Sequence, residues 1–256
     1  MGLVVSIVSH GHAVQVRSLL SLLSRPGATP LLRVWLTLNL PEPELLSLAE
    51  QTWPFDLHIL ENDTSQGFGT NHNQAFAHEL SKPDPASQFC VLNPDMSWRV
   101  DPFPALLSAL EVPQAGCAFP LQLDNRGQEQ DHRRTIPSPL ALLQRHLLNS
   151  TPAPGMQPEW VNAAFLVFPC HVYAALGGFD TRYFMYCEDV DICLRLQLAG
   201  YTLVEAATAR VVHDARRASR RDLRHLMWHV RSLLMLWTSP AYRRFRSFRP
   251  TFSIRC

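Results

Sequence analysis

The fold is decided by the first strand and helix of the chain, residues 3–23, which read LVVSIVSHGHAVQVRSLLSLL. A short apolar run rich in β-branched residues ends at Ser9, and Gly11 then provides a turn. Four apolar residues follow at helical spacing: Val16, Leu19, Leu20 and Leu23. The stretch therefore predicts a strand, a turn and a helix, the repeating unit of a parallel sheet.

The same alternation continues to residue 95. Strands are predicted at 34–40, 57–60 and 89–92, with helical patterns at 41–51 and 70–80. This is the pattern of an α/β protein with a Rossmann-like, mostly parallel sheet and helices on both faces. Ligands of such sheets bind beyond the carboxyl ends of the strands, so the site is expected at that edge.

The alternation is less regular after residue 95. The pattern predicts strands at 115–121, 160–168 and 201–204, and helices at 101–110 and 188–199. The segment 149–158 contains three prolines and a glycine, and it is interpreted as a flexible crossing or lid.

The composition excludes several classes of protein. Of the 256 residues, 46% are apolar and 18% charged, which excludes disorder, collagen and a coiled coil. The net charge is +1, but residues 1–209 carry about −9 and residues 210–256 about +10. A basic tail of this kind indicates an anionic partner, which could be a membrane surface, a phosphorylated substrate or nucleic acid.

The cysteines and the amino terminus indicate a cellular location. The six cysteines show no zinc-binding spacing and several lie in apolar runs, so they are interpreted as reduced core residues of a cytosolic protein. No signal peptide is visible, and no stretch approaches the roughly 20 apolar residues that cross a bilayer. We therefore expect a cytoplasmic protein that is soluble or attached to the surface of a membrane.

Polar side chains follow two of the predicted strands. Asn62 and Asp63 come after the third strand, where they could hold a nucleobase edge or a ribose hydroxyl. Asp95 follows the fourth strand and could bind a divalent cation that bridges a diphosphate. Both segments are also typical of Asx-rich turns, so neither decides the function alone.

Three acids crowd the first turn of the helix predicted at 188–199, where the helix dipole stabilises negative charge. A structural interpretation makes Glu188 a helix cap and pairs Asp191 with Arg195. Asp189 then has no structural role, which makes it the candidate general base. His213 ends another apolar run, as a structural histidine or as a metal ligand.

The order and spacing of six segments resemble the inverting family 2 glycosyltransferases of the GT-A fold, most closely their bacterial rhamnosyltransferase-like branch. The resemblance spans roughly residues 3–213. The segments are VVSIVSHG (4–11), EN-x-x-x-x-GFGTNHN (61–73), LNPD (92–95), VNAAFLVFP (161–169), GGFDTRYFMYCEDVDICLRLQLAGY (177–201) and VVH (211–213).

The resemblance implies a nucleotide-binding role for seven residues. Ser9 and His10 would line the pocket, and Asn62 and Asp63 would contact the base and the ribose. The other three residues would shape the loop and the helix beneath the nucleotide: Gly67, Phe68 and Asn73.

The resemblance also implies a metal site and a base. Asp95 would be the remaining acid of the DxD motif, whose first acid is replaced by Asn93, and His213 would complete a site for Mg²⁺ or Mn²⁺. Inversion requires a base within reach of the acceptor hydroxyl, and Asp189 fills that role.

Three further residues are assigned to the acceptor or the leaving diphosphate: Glu188, Arg216 and Arg217. The expected activity is transfer of a sugar, rhamnose as the first choice, from a dTDP- or UDP-linked donor to a glycan or lipid-linked acceptor. The alternative is a non-catalytic relative that binds a nucleotide sugar or a glycan. Retention of Asp95, Asp189 and His213 together favours the enzyme.

The chain is expected to divide into a catalytic domain, 1–213, and a basic amphipathic helical extension, 214–256. In the extension, a helix packed on the catalytic domain with a solvated end is one interpretation. Attachment to an anionic membrane surface, on the inner face of the cell membrane, is the other. Nucleic-acid binding is the least favoured.

Overall fold

An eight-stranded sheet forms the centre of the computed structural model, which describes residues 2–136, 159–213 and 223–248. The strands are β1 (Leu3–Ser9), β2 (Arg33–Leu38), β3 (Asp56–Glu61), β4 (Gln88–Leu92), β5 (Met96–Ser97), β6 (Ala115–Leu123), β7 (Arg133–Arg134), β8 (Trp160–Val161), β9 (Phe165–Pro169) and β10 (Thr202–His213). The helices are α1 (Ala13–Leu23), α2 (Pro43–Leu46), α3 (Phe68–Leu80), α4 (Phe103–Ala109), α5 (Cys170–Ala175), α6 (Glu188–Leu198), α7 (Leu223–Thr238) and α8 (Pro240–Phe248), with a 3₁₀ turn after α2.

The sheet has the order β3-β2-β1-β4-β9-β6-β10-β5. Strands β3, β2, β1 and β4 are mutually parallel, and β6 is parallel to β10. Strand β9 lies antiparallel between β4 and β6, so the two parallel groups run in the same direction. The carboxyl ends of β1, β2, β3, β4, β6 and β10 therefore meet at one edge. The predicted α/β class and the mostly parallel sheet are confirmed.

Two predicted strands have different bounds in the structure. The strand predicted at 201–204 and the apolar run 210–212 that precedes His213 belong to one long strand, β10, whose pairing with β6 is irregular between Ala206 and Arg210. The predicted strand at 160–168 is divided into β8 and β9, and β8 pairs with β7 in a separate two-stranded sheet. In β10 the irregular pairing coincides with a break in the apolar pattern, whereas the apolar run at 160–168 spans two strands that belong to different sheets.

Helices cover both faces of the sheet, as predicted. In β1, Val4 packs in one core with α3 and α6, whereas Val5 and Ile7 pack in the other with α1 and α4. This alternation is the period of a strand that is buried on both faces. The five cysteines in the described residues are buried and unpaired, which agrees with the prediction of reduced core cysteines: Cys90, Cys117, Cys170, Cys187 and Cys193.

A buried ion pair fixes α3 to the sheet. Arg33 on β2 donates to both carboxylate oxygens of Glu79 on α3, each at 3.0 Å, and Trp35 Nε1 donates to the same carboxylate at 2.9 Å. Arg33 and Glu79 are both buried. Removing one partner of such a buried charge pair strongly destabilises a protein, so the pair anchors the carboxy-terminal end of α3 to the start of β2.

One face of the carboxy-terminal helices α7 and α8 packs on the rest of the chain. Their inward residues join the core that α6 also enters: Leu233, Leu236, Tyr242 and Phe245. The apolar residues on the other face of α7 are exposed: Leu226, Met227, Val230 and Leu234. The domain boundary at residue 213 stays a prediction. No helix within 2–136, 159–213 or 223–248 is long and apolar enough to cross a membrane.

Candidate active site

Asp95 and His213 come together because of one short strand pairing. Strand β5 follows Asp95 and runs antiparallel to the end of β10, which places His213 opposite Met96. Asp95 Oδ2 lies 3.5 Å from His213 Nε2. Burial opposes ionisation of Asp95, but the hydrogen bond and positive charge of His213 outweigh it and lower the pKa of the carboxyl. The resulting group is a carboxylate and an imidazole at the carboxyl edge of the sheet.

This pair fits a divalent cation. Asp95 Oδ1 and His213 Nδ1 are buried without a hydrogen-bond partner among the described residues. Ligand atoms lie about 2.1 Å from Mg²⁺, so a carboxylate oxygen and a ring nitrogen at the observed separation can share one ion. No group of three or more acidic, histidine or cysteine ligands occurs in the parts of the chain that the structure describes. The remaining ligands would have to be phosphate oxygens or waters.

Asp189 lies at the amino-terminal end of α6, at the same edge of the sheet. Helix α6 leads directly into β10 and therefore begins where the parallel strands end. Asp189 Oδ1 accepts a hydrogen bond from the Val190 backbone N–H at 2.8 Å. Burial raises the pKa of this carboxyl to about 6. A carboxylate with this pKa can accept a proton near neutral pH, as a general base must.

Glu188 has a different environment from the one predicted. The residue before it, Cys187, is the helix cap position, and no side-chain cap bond forms there, so the interpretation of Glu188 as a cap is wrong. Glu188 is 7% exposed, and its Oε2 has no partner among the described residues. Burial, and then the charge of Asp189, raise the pKa of Glu188 well above its ordinary value.

The pairing of Asp191 with Arg195 is confirmed. Arg195 Nε donates to Asp191 Oδ2 at 2.7 Å, one helical turn away. The same guanidinium also donates to the backbone carbonyls of Leu176 and Gly178, at 2.6 and 2.9 Å. Arg195 therefore connects α6 to the loop that precedes it. Because Asp191 is occupied by this ion pair, Asp189 remains the candidate general base of this turn.

The turn before α6 is strained and is held by α7. Tyr186 and Cys187 have φ values of +72° and +67°, a region that costs non-glycine residues roughly 1–3 kcal/mol each. Tyr186 Oη lies 2.8 Å from His225 Nδ1, and Ser232 Oγ donates to the Met185 carbonyl at 2.8 Å. The contribution of α7 to the active-site loop was not predicted from the sequence, because the two segments are far apart in the chain.

Gly67 and Gly69 allow a close approach between α3 and this loop. A Cβ on Gly67 would lie 2.7 Å from the Phe184 carbonyl oxygen, and a Cβ on Gly69 2.5 Å from Phe179 Cβ. Phe68 packs edge to face on Phe179, at a centroid distance of 5.6 Å. The glycines and Phe68 thus contact the segment leading to Asp189, and their predicted role beneath the nucleotide stays a prediction.

Asn73 connects α3 to the same segment. Its Oδ1 accepts hydrogen bonds from Tyr173 Oη at 2.7 Å and from the Phe179 N–H at 2.9 Å, and its Nδ2 donates to the Phe179 carbonyl at 2.8 Å. Because both polar atoms of the Asn73 amide are used by these hydrogen bonds, Asn73 fixes the position of α3 against the segment that leads to α6.

A cleft of 540 Å³ opens beside the start of α3. It contains three of the predicted nucleotide-binding residues, Asn62, Asp63 and Asn73. Its other lining residues, which the sequence did not single out, are Glu61, Thr64, Gln66, Thr70, Gln74 and Thr181. All of these residues are of polar types, whose side chains can form hydrogen bonds with hydroxyl groups or a nucleobase edge.

A network of amides forms the floor behind Asn62. Asn62 Nδ2 donates to Asn39 Oδ1 at 2.9 Å and to Asn71 Oδ1 at 2.6 Å, and Asn39 Oδ1 also accepts from the Gln66 N–H at 2.7 Å. Asn39 and Asn71 were missed at the sequence level. Asn39 directly follows β2, so the rule that polar residues at strand ends form the site could have identified it.

Ser9 is the last residue of β1, and His10 begins the turn after it. Ser9 is fully buried, and its hydroxyl donates to Glu42 at 2.9 Å and accepts from the His12 N–H at 3.3 Å. His10 is exposed, and its Nδ1 lies 3.2 Å from Asn39 Nδ2. Ser9 therefore holds the turn, and His10 is the member of the pair that is accessible to a ligand. Arg216, Arg217 and the segment 149–158 lie outside the described residues.

Two relatives are similar in sequence, although no family model matches the chain. An N-acetylglucosaminyl-diphospho-decaprenol L-rhamnosyltransferase of Mycobacterium tuberculosis is 30% identical over 207 residues, which cover 72% of this chain and 67% of the relative. Rhamnosyltransferase WbbL of Escherichia coli K12 is 27% identical over 179 residues, covering 65% of this chain and 68% of the relative.

Solved structures show the same fold. The mannosyltransferase PcManGT of Pyrobaculum calidifontis, in complex with GDP-Man and Mn²⁺, matches with a TM-score of 0.63 and 15% identity over 96% of this chain and 67% of that one. GalNAc-T7, solved with UDP, GalNAc and Mn²⁺, matches with a TM-score of 0.60 and 15% identity over 84% of this chain and 43% of that one. The chain thus spans less than half of GalNAc-T7. The predicted GT-A fold is confirmed.

Proposed function

Because the chain belongs to the rhamnosyltransferase-like members of glycosyltransferase family 2, we propose that it transfers rhamnose, with inversion, from a dTDP- or UDP-linked donor to a lipid-linked glycan acceptor. The Mycobacterium tuberculosis relative is named for an acceptor linked to lipid through a diphosphate. One observation carries the proposal: a carboxylate with a pKa of about 6, Asp189, lies at the same sheet edge as the Asp95–His213 pair.

Asp189 acts on the acceptor. In an inverting transfer, the acceptor hydroxyl attacks the anomeric carbon from the side opposite the leaving diphosphate, and Asp189 takes the proton of that hydroxyl. Burial raises the pKa of Glu188 well above its ordinary value, which favours the protonated carboxyl, and a protonated carboxyl can donate a hydrogen bond to the acceptor or the diphosphate. Glu188 therefore assists binding, while Asp189 moves the proton.

Asp95 and His213 act on the donor. They would hold Mg²⁺ or Mn²⁺, which supplies positive charge next to the departing diphosphate. Asn62 and Asp63 would bind the base and ribose in the cleft, with His10 linked to Asn62 through Asn39, and Gly67, Phe68 and Asn73 would fix the position of α3. Arg216 and Arg217 lie three and four residues after His213 in the chain and are proposed to add charge near the diphosphate.

The activity is tested with purified protein, dTDP-rhamnose or UDP-rhamnose, and a prenyl-diphosphate-linked N-acetylglucosamine acceptor. We expect release of the nucleoside diphosphate and a product whose anomeric configuration, measured by NMR, is opposite to that of the donor. Nucleotide-sugar binding without transfer to any glycan would refute the proposal and identify a non-catalytic relative.

The metal assignment is tested by calorimetric titration of the nucleoside diphosphate with and without Mn²⁺. We expect affinity to fall at least tenfold without the cation, and to become insensitive to Mn²⁺ in Asp95→Asn and His213→Ala. Asp56→Asn, which changes an exposed carboxylate at the start of β3, is the matched control. Equal affinity in EDTA and in Mn²⁺ would contradict the assignment.

We further propose that α7 and α8 attach the protein to the anionic inner surface of the cell membrane. The exposed apolar face of α7 includes Leu226 and Met227, which are 56% and 67% exposed. Exposed arginines accompany this face on both helices: Arg224, Arg231, Arg243, Arg244 and Arg246. Apolar side chains beside cationic ones are typical of helices that lie in a lipid interface, where each cation adds about 1 kcal/mol.

Membrane attachment is tested by sedimentation with vesicles of phosphatidylglycerol and phosphatidylcholine at low and high salt. We expect binding that weakens with salt, is reduced by replacing Arg243, Arg244 and Arg246 with Gln, and is reduced by Met227→Gln. The control is Val100→Gln, because Val100 is also a highly exposed apolar residue, at 79%, but lies between β5 and α4 and not on α7. Vesicle binding that is absent, or unchanged in these variants, would refute the attachment.

A further inference from the structure

Arg134 occupies a fixed position on the small hairpin beside α6. Strand β7 pairs with β8 so that Arg134 lies opposite Trp160. The Arg134 guanidinium lies 5.6 Å from the centroid of the Trp160 ring, and its Nε lies 2.9 Å from Asp131 Oδ2. Trp160 is itself buried and donates to the Thr135 carbonyl at 3.0 Å. The platform beneath the guanidinium is therefore rigid.

The hairpin is packed against the helix that carries Asp189. Gln197 Nε2 donates to the Glu159 carbonyl at 2.7 Å, and Cys193 Sγ lies 3.7 Å from the Val161 carbonyl, which holds β8 along α6 toward its amino-terminal end. Arg134 is close enough that its positive charge favours the ionised form of Asp189. The hairpin thus places a fixed cation along the helix whose first turn carries the carboxylate proposed to activate the acceptor.

The Arg134 guanidinium is accessible to a ligand. The side chain of Arg134 is 45% exposed. Its hydrogen bond and its ion pair within the described residues both use Nε, which leaves the two terminal nitrogens for a ligand. A guanidinium with both terminal nitrogens available matches the geometry of a phosphate, which it can bind through two parallel hydrogen bonds.

We propose that Arg134 binds the phosphate that is attached to the acceptor sugar, and thereby selects acceptors linked to lipid through a diphosphate over neutral glycosides. The inference rests on the proposed function, because it requires the acceptor hydroxyl to be at Asp189. The phosphate of such an acceptor is joined to the same sugar ring as the attacking hydroxyl. A cation fixed beside the base can therefore contact the phosphate while the hydroxyl contacts Asp189.

The test compares two acceptors with the same sugar: prenyl-diphosphate-linked N-acetylglucosamine and its octyl glycoside. For Arg134→Gln, we expect the KM of the diphosphate-linked acceptor to rise about 10- to 100-fold, the value of a charge-assisted hydrogen bond. The KM of the octyl glycoside and of the nucleotide sugar should stay within threefold. Arg134→Lys should recover part of the loss, because it restores the charge without the planar group.

Arg126→Gln is the matched control, since Arg126 is an exposed arginine in the turn before β7. An equal rise in the KM of both acceptors would overturn the inference and assign Arg134 a structural role. A rise in the KM of the nucleotide sugar alone would overturn it by placing Arg134 on the donor.

Binding of prenyl diphosphate, measured by calorimetry, separates this inference from the proposed function. If the wild type transfers no sugar but binds prenyl diphosphate through Arg134, the proposed function fails and the phosphate site stands. If transfer occurs and prenyl diphosphate binds equally to the wild type and to Arg134→Gln, the phosphate site is refuted.

Discussion

Asp189→Asn removes the proposed base and keeps the shape of the side chain. Asparagine cannot accept the proton of the acceptor hydroxyl, so turnover should fall by about 10²- to 10⁴-fold. The affinity for the nucleoside diphosphate should change little, because that group is proposed to bind at Asp95 and His213. In the wild type, turnover should rise with pH through about 6, as Asp189 becomes ionised, and then level off.

The same substitution should stabilise the protein at alkaline pH. The pKa of Asp189 is raised from 3.8 to about 6, so the ionised carboxyl destabilises the folded state. A shift of about two units corresponds to about 3 kcal/mol, and partial exposure of the side chain reduces the expected gain to about 1–2 kcal/mol. The cost of the charge is complete above pH 6 and disappears as the pH falls toward 3.8, because the folded state then binds the proton.

The assay is urea denaturation of the wild type and Asp189→Asn at pH 8 and pH 5, with single-turnover kinetics at pH 8. We expect the variant to be more stable at pH 8, with a smaller difference at pH 5. Asp56→Asn, at an exposed position, should show no such pH-dependent gain. Turnover within threefold of the wild type would refute the role of Asp189 as base, and equal stability at both pH values would refute the raised pKa.

Gly67→Ala should lower the free energy of unfolding by about 1–3 kcal/mol, because the new Cβ would clash with the Phe184 carbonyl oxygen. The loss is measured by urea denaturation, and an unchanged midpoint would contradict this close contact. Tyr186→Phe removes the hydrogen bond to His225 and should cost about 1 kcal/mol, with slower turnover as the loop loosens; unaltered stability and kinetics would show that α7 does not hold the loop. Glu79→Gln should destabilise by about 3–5 kcal/mol in thermal denaturation, because the buried Arg33 guanidinium loses its buried charged partner and keeps only the exposed Asp84, and a loss below 1 kcal/mol would argue against that contribution.

The sequence determined the elements of the fold and several chemical groups. Apolar periodicity is a local property of the backbone, so the strand at residues 3–9 and the helix after it were predicted close to their true bounds. The acids at strand and helix ends are also visible in the sequence, and their positions alone suffice to propose Asp95 and Asp189 as site residues. The pair Asp191–Arg195 depends only on helical spacing, and it was confirmed.

The tertiary structure decided how these groups are brought together. Asp95 and His213 meet only because β5 pairs with the end of β10, and Tyr186 meets His225 only because α7 packs on the loop before α6. Glu188 was misinterpreted because its burial depends on the packing around α6 and not on its position in the helix. These contacts join residues far apart in the chain, and their energies come from packing and desolvation, which no local sequence pattern contains.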